Sequence, residues 1–345
     1  MRRFTRRSAL TWVGIAVSLI FAYLAVRDID AAALGDGLRR TNVWTLVPAG
    51  LVLAVAVVLR AVRWRILLSP PYRPSIRVVT GAVLIGYFFN TILPARAGEA
   101  ARVVVLKQRA GTPRFESVGT VGAERVLDVL VLLAVFFASA PFVPRTDWLG
   151  RALALGAAAF VVLSVLVVAF AVYGQRPARL LLRPLTLLPG ISRERTETGA
   201  ANLVGGFSVF RRPRIALRAT VLTAVSWLLI AFSLWLVMLG FDLGVGFEAG
   251  LLVVVATNLA MILPSGPAAV GVFEAATIVA LATFGVDRTV ALSYGIVVHA
   301  LNALPYIPAG YIALHYHAAA VRDRSAREEE QAAPREPTPA VPDAY

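Results

Sequence analysis

Between Tyr87 and Arg109 the chain reads YFFNTILPARAGEAARVVVLKQR, which sets Asn90, Arg96, Glu99 and Arg102 around a helix-breaking Pro94 and Gly98 inside otherwise strongly apolar sequence. Polar and ionisable groups at bilayer depth are costly and face a cavity or a partner. Arg96 and Arg102 flank a helix start at Gly98 and Glu99, so two guanidinium groups and the free N-terminal amides at Gly98 have the composition of a phosphate site. The same spacing lets Glu99 neutralise Arg102 at i, i+3. The residues alone leave both readings open.

A second polar set lies downstream. Asn258 precedes Leu263-Pro264 as Asn90 precedes Leu93-Pro94, and glycine and a glutamate follow at Gly271 and Glu274, as they do at Gly98 and Glu99. Glu274 has no basic residue within a turn. A carboxyl without a counter-charge at that depth suits proton coupling or capture of a cationic headgroup. His299, Asn302 and Tyr306 share one helical face by their i, i+3 and i+4 spacing; His299 reads as a polar residue satisfied between helices or as a proton relay. Glu124, Arg125 and Asp128, in AERVLDVLVLL, read as a structural clasp in which Arg125 and Asp128 pair at i, i+3. Asn90, Arg96, Gly98, Glu99, Arg102, Asn258, Glu274, His299 and Asn302 are therefore the candidates to hold a substrate.

The elements that must position these groups are membrane helices. The 345 residues are 58% hydrophobic, with a mean hydropathy of +0.74 and long uninterrupted apolar runs, which predicts an all-α polytopic membrane protein. Apolar spans are expected at Ala9 to Val26, Val43 to Leu59, Ser117 to Ala140, Leu149 to Tyr173, Leu217 to Phe241 and Thr289 to Leu314, with kinks at Pro305 and Pro308 in the last. The N-terminal run, headed by Arg2, Arg3, Arg6 and Arg7, reads as a transmembrane helix rather than a signal peptide. Arginine-rich stretches around 60–77, 96–114 and 176–218 all fall on the cytoplasmic side only if Val78 to Leu93 enters the membrane, turns at Pro94 to Gly98 and returns as Glu99 to Arg109. Backbone broken at that depth survives where protein or a water-filled cavity satisfies it. Gly250 to Leu263 and Ala268 to Phe284 form a second such pair, which re-enters or crosses; charge does not distinguish the two. Six full spans plus two broken hairpins, entering from opposite sides, suggest an inverted repeat with a site at the midplane.

Composition excludes other chemistries. The net charge of +14 lies in the short stretches between spans, where it points to anionic lipid and not to nucleic acid. With no cysteine there is no thiolate nucleophile or cysteine-ligated metal. Lys107 is the only lysine and stands in no phosphate-binding loop, and neither a zinc-protease histidine pair nor a nucleophile elbow occurs. No cofactor and no metal are expected.

The strings N-x-x-LPARAGE-x-x-R, ERVLD and LP-x-G-x-x-x-x-G-x-x-E resemble the flippase-like membrane domain of lysylphosphatidylglycerol synthases, the multiple peptide resistance factor family, over residues 9 to 317. The resemblance implies movement of a lipid, or of a lipid-linked phosphate or sugar carrier, between leaflets. No soluble aminoacyl-transferase domain follows the last span, so synthesis of lysyl lipid is not expected. The alternatives are an integral-membrane enzyme acting on a lipid phosphate through Glu99 or Glu274, and a non-transporting accessory subunit of a glycosyltransferase. The expected organisation is a membrane domain over 1–317, with an interfacial amphipathic loop at 174–216, and a disordered tail over 318–345. Both termini are expected in the cytoplasm of a cell-membrane protein whose partners are lipids with anionic or phosphate-bearing headgroups.

Overall fold

The computed structural model describes residues 15–27, 31–68, 74–94, 97–174, 176–177, 208–263 and 265–332, and these contain no strand. In chain order the helices are α1 (Ile15–Val26), α2 (Ala31–Arg40), α3 (Leu46–Leu67), α4 (Ile76–Ile92), α5 (Gly98–Ala110) and α6 (Arg114–Ser139). They continue as α7 (Asp147–Tyr173), α8 (Pro213–Gly240), α9 (Phe247–Ala260), α10 (Val272–Ala282), α11 (Arg288–Ala303) and α12 (Tyr306–Ala332). Five segments are long and apolar enough to cross a membrane: Val43–Leu67, Glu116–Phe142, Asp147–Tyr173, Pro213–Gly240 and Arg288–Arg324. The protein is an all-α polytopic membrane protein. The described part of the first expected span, Ile15–Val26, is shorter, as are α4, α9 and the 267–282 segment.

Local chemistry explains where the short helices stop. Ser75 caps α4 by accepting from the Val78 amide at 3.4 Å. Leu93 is extended (φ −113°, ψ 145°), the conformation that the following Pro94 favours. α5 closes on Gly111 in the left-handed region (φ 65°), where glycine carries no Cβ penalty. The break between α9 and α10 is rougher. Ala268 and Ala269 take φ of 53° and 59° and Gly271 one of 85°, and an alanine held there costs about 1–3 kcal/mol that surrounding contacts must offset.

The same order occurs twice: a long helix, a short helix, a break, a short helix and another helix, first as α3 to α6 and then as α8 to α11. α3 lies along α8, and two clusters of buried side chains form the core. α6, α8, α9, α10 and α11 bury Phe136, Trp227, Val253, Leu281 and Tyr294 together, while α3, α4 and α5 bury Trp64, Val83 and Leu106, with Tyr306 and Leu314 of α12 packed against them. α7 stands at the periphery. Val161, Val162, Val165, Val168 and Val172 remain exposed on it, which suits a face turned to lipid.

The last span is interrupted at Pro305, as expected, since that residue offers no amide and crowds the preceding turn, while Pro308 lies within α12. Three other expectations change. The second span does not end at Leu59, because the helix runs to Leu67 and carries Arg60 and Arg63 into the protein. The tail expected to be disordered from Ala318 is helical as far as Ala332, in keeping with its alanine, arginine and glutamate content; 333–345 lie outside the described residues. α2, a helix over residues not expected to form one, packs against α11. The amphipathic loop expected at 174–216 falls largely outside the described residues, with a 3₁₀ turn at Ser208–Arg211 leading into α8.

Candidate functional site

The two breaks and the gap between α11 and α12 border one cavity of about 500 Å³. Asn90 and Glu99 reach it from the first hairpin, Asn258, Ala268 and Ala269 from the second, and His299, Asn302 and Tyr306 from α11 and α12. Arg60, Tyr87, Arg125 and Trp227 add to its polar wall, and aliphatic residues of α3, α8 and α9 contribute apolar surface. Of the candidates read from sequence, Gly98, Arg102 and Glu274 do not line this cavity, and Arg96 lies outside the described residues.

The first hairpin closes by side-chain bonding. The Gly98 amide donates to Asn90 Oδ1 at 2.9 Å, so the amide expected to meet a phosphate is already engaged. Gly98 and Gly86 let the backbones of α4 and α5 touch: a Cβ on Gly98 would stand 1.8 Å from the Gly86 carbonyl oxygen.

Arg102 is 2% exposed. Its guanidinium stacks on the Trp64 ring, 4.0 Å from the centroid, and donates to Glu124 Oε2 at 2.8 Å. It pairs neither with Glu99, as the i, i+3 spacing suggested, nor with the cavity. Glu99 is bonded instead by Arg125 of α6, which also reaches Asp128 Oδ2 at 3.4 Å. The clasp read as Glu124, Arg125 and Asp128 has its centre on α3. There the fully buried Arg63 donates to Glu124, to Asp128 Oδ1 at 2.6 Å and to Thr223 Oγ1 at 2.9 Å. The Trp227 indole N–H adds a bond to Asp128 Oδ1 at 3.2 Å. Charges from α3, α5 and α6 thus neutralise one another in a network that fixes the helices behind the cavity, the condition under which buried charge is tolerated.

The second hairpin is built differently. Asn258 donates to the Val254 carbonyl of its own helix at 2.9 Å and does not bridge the break as Asn90 does. That task falls to Ser18 of α1, whose hydroxyl accepts from the Gly266 amide at 2.7 Å, and to Glu274, whose Oε2 accepts from the Gly271 amide at 2.6 Å. Glu274 is not isolated, contrary to the expectation, because His299 Nδ1 lies 2.5 Å from its Oε1. His299 Nε2 lies 3.0 Å from the Ala268 carbonyl. A carbonyl only accepts, so Nε2 carries a hydrogen and Nδ1 and Oε1 share another. Asn302 donates to the Val298 carbonyl at 2.9 Å.

Sequence reasoning missed Arg60 and Arg63 because it placed them in a cytoplasmic loop. The available signal was their i, i+3 spacing beside Trp64, directly continuous with an apolar helix.

About 131 residues, 38% of the chain, are 30% identical to glycosyltransferase AglD of Haloferax volcanii, and the match spans only 21% of that protein. A UPF0104 membrane protein of Methanocaldococcus jannaschii is 22% identical over 203 residues, 58% of the chain and 81% of the relative. One from Methanothermobacter thermautotrophicus is 23% identical over 269 residues, 74% of the chain and 78% of the relative. The family model described as the lysylphosphatidylglycerol synthase TM region matches residues 11–310, a stretch holding both broken hairpins, the arginine-carboxylate network and the cavity, and the chain belongs to that family.

Proposed function

We propose that the protein moves a phospholipid, or a lipid-linked phosphate or sugar carrier, between leaflets as a flippase or scramblase. The headgroup rests in the cavity while the acyl chains stay in lipid. One observation carries this reading: among the described residues the interruptions in α4–α5, α9–α10 and α11–α12 all border the same polar-walled cavity in an apolar helical protein, as in transporters built from broken helices. The enzyme reading needs a carboxyl free to exchange a proton with substrate. Glu99 is held by Arg125, and both oxygens of Glu274 are engaged. A membrane partner for a glycosyltransferase is the second reading, favoured by the match to AglD.

Reconstitution into liposomes separates the three. Leaflet exchange of a labelled lipid without covalent change is expected, across a panel of anionic, cationic and polyprenyl lipids. A new lipid product would establish the enzyme, and neither result would leave the accessory role.

The same reading places both termini in the cytoplasm of a cell membrane and returns α5 to that side. In the cysteine-free background, Lys107→Cys and Arg109→Cys are expected to react with a membrane-impermeant thiol reagent from the inside. Labelling of both only from outside would overturn the re-entrant hairpin.

A further inference from the structure

We propose that Arg60 holds a singly charged oxyanion in the cavity, a site that rests on the transport reading above and gives its cargo a chemistry: the phosphodiester of a lipid headgroup. The charges around the cavity do not balance. Arg63 and Arg102 are met by Glu124 and Asp128, and Arg125 by Glu99 and Asp128. Among the described residues three carboxylates thus face four guanidinium groups, and the one without an ion pair is Arg60.

What Arg60 does bond is neutral. Its Nη1 donates to the Tyr87 hydroxyl at 3.3 Å, and its plane lies over the Trp227 ring with Cζ 4.2 Å from the centroid. Its Nε and Nη2 are shielded from solvent and bond none of the described residues. Nε of Arg63, Arg102 and Arg125 also lacks a partner, but each of those guanidinium groups already grips a carboxylate.

At Arg60 the two orphaned donors share one edge of the guanidinium. Their hydrogens run parallel, the fork that meets two oxygens of one phosphate or carboxylate. A water molecule would satisfy hydrogen bonds there and leave the charge. A dianion would replace one uncompensated charge with another of opposite sign in a poorly solvated site. A monoanion with two equivalent oxygens satisfies both conditions, and a phosphodiester has that form. A headgroup with a net positive charge beside its phosphate would have to place that charge away from Arg60.

The test is retention of lipid by the purified protein, read by native mass spectrometry from an equal mixture of phosphatidylglycerol and diacylglycerol with identical chains. The wild type is expected to favour phosphatidylglycerol, and Arg60→Gln to lower that preference about tenfold or more. Arg60→Lys should recover it only in part, because an ammonium has no fork. Arg151→Gln, on the exposed face of α7, removes the same charge from the surface and should change nothing. Asp128, the acid nearest in charge to Arg60, keeps its ion pairs to Arg63 and Arg125, so the loss of Arg60 strands no acid and unchanged helix content by circular dichroism is expected. Excess inorganic phosphate distinguishes the source: retention that resists it assigns the site to lipid, and displacement that depends on Arg60 assigns it to a soluble anion. Arg60→Gln protein that keeps the wild-type preference overturns the site, even if liposomes show leaflet exchange. Absence of exchange alongside Arg60-dependent retention would instead remove the transport reading and leave the site.

Discussion

Arg63→Ala is expected to yield little or no folded protein. The side chain is 0% exposed and joins α3 to two carboxylates of α6 and to Thr223 of α8. Without it Glu124 keeps only Arg102, and Asp128 keeps the long contact to Arg125 and the Trp227 indole. Removing one member of a buried ion network costs about 3–5 kcal/mol because a charge is left uncompensated, against a total stability of about 5–15 kcal/mol. The loss is electrostatic more than volumetric, and a second variant shows this. Arg63→Met with Asp128→Asn restores the cluster's charge balance and fills much of the space, so it should recover a good part of the stability that Arg63→Ala loses. Thermal unfolding followed by helix content, together with the yield extracted from membranes, measures both. An Arg63→Ala protein that unfolds at the wild-type temperature would mean that the network does not hold the helices together.

What was legible in the sequence was whatever is local. Apolar runs fixed the class and most helices, and Pro94, Gly98 and the Leu263-Pro264 pair marked the breaks, because a missing amide or a missing Cβ acts on its own turn. The Arg125–Asp128 contact at i, i+3 was visible for the same reason. Pairing across helices was not. Arg102 had Glu99 three residues away and bonds Glu124 of the next helix, while the partner of Glu274 is His299 on α11. Arg60 and Arg63 look like a loop to any reading that averages hydropathy, since each arginine is counted as a charge exposed to water. In the structure two carboxylates take water's place around Arg63, and the face of Trp227 does so at Arg60. The anion site proposed above accordingly lies at Arg60 of α3 and not at Arg102 of α5.

Gly98→Ala is expected to open the first hairpin and abolish leaflet exchange. A Cβ at that position would stand 1.8 Å from the Gly86 carbonyl oxygen and 2.6 Å from Asn90 Oδ1. The first of these is backbone, so no rotamer relieves it and α5 must move away from α4. On the opposite wall a Cβ on Gly86 would meet Arg102 Cγ at 2.5 Å, which shows how little room the pair has. Overpacking at a well-filled site costs about 1–3 kcal/mol and more where backbone is forced apart; the Gly98 amide would also lose its bond to Asn90. Asn90 and Glu99 line the cavity, so separating the helices displaces the headgroup site even in molecules that stay folded. Gly81→Ala in α4 is the control. Nothing lies within 4 Å of its Cβ, and alanine in a helix interior gains up to about 1 kcal/mol over glycine, so that variant should be neutral or slightly more stable and should keep exchange. The comparison isolates contact from propensity: both changes add one methyl to a glycine in the same hairpin, and only the one facing backbone should fail. Equal unfolding temperatures and equal exchange rates for the two would mean that close approach of α4 and α5 is not what shapes the cavity.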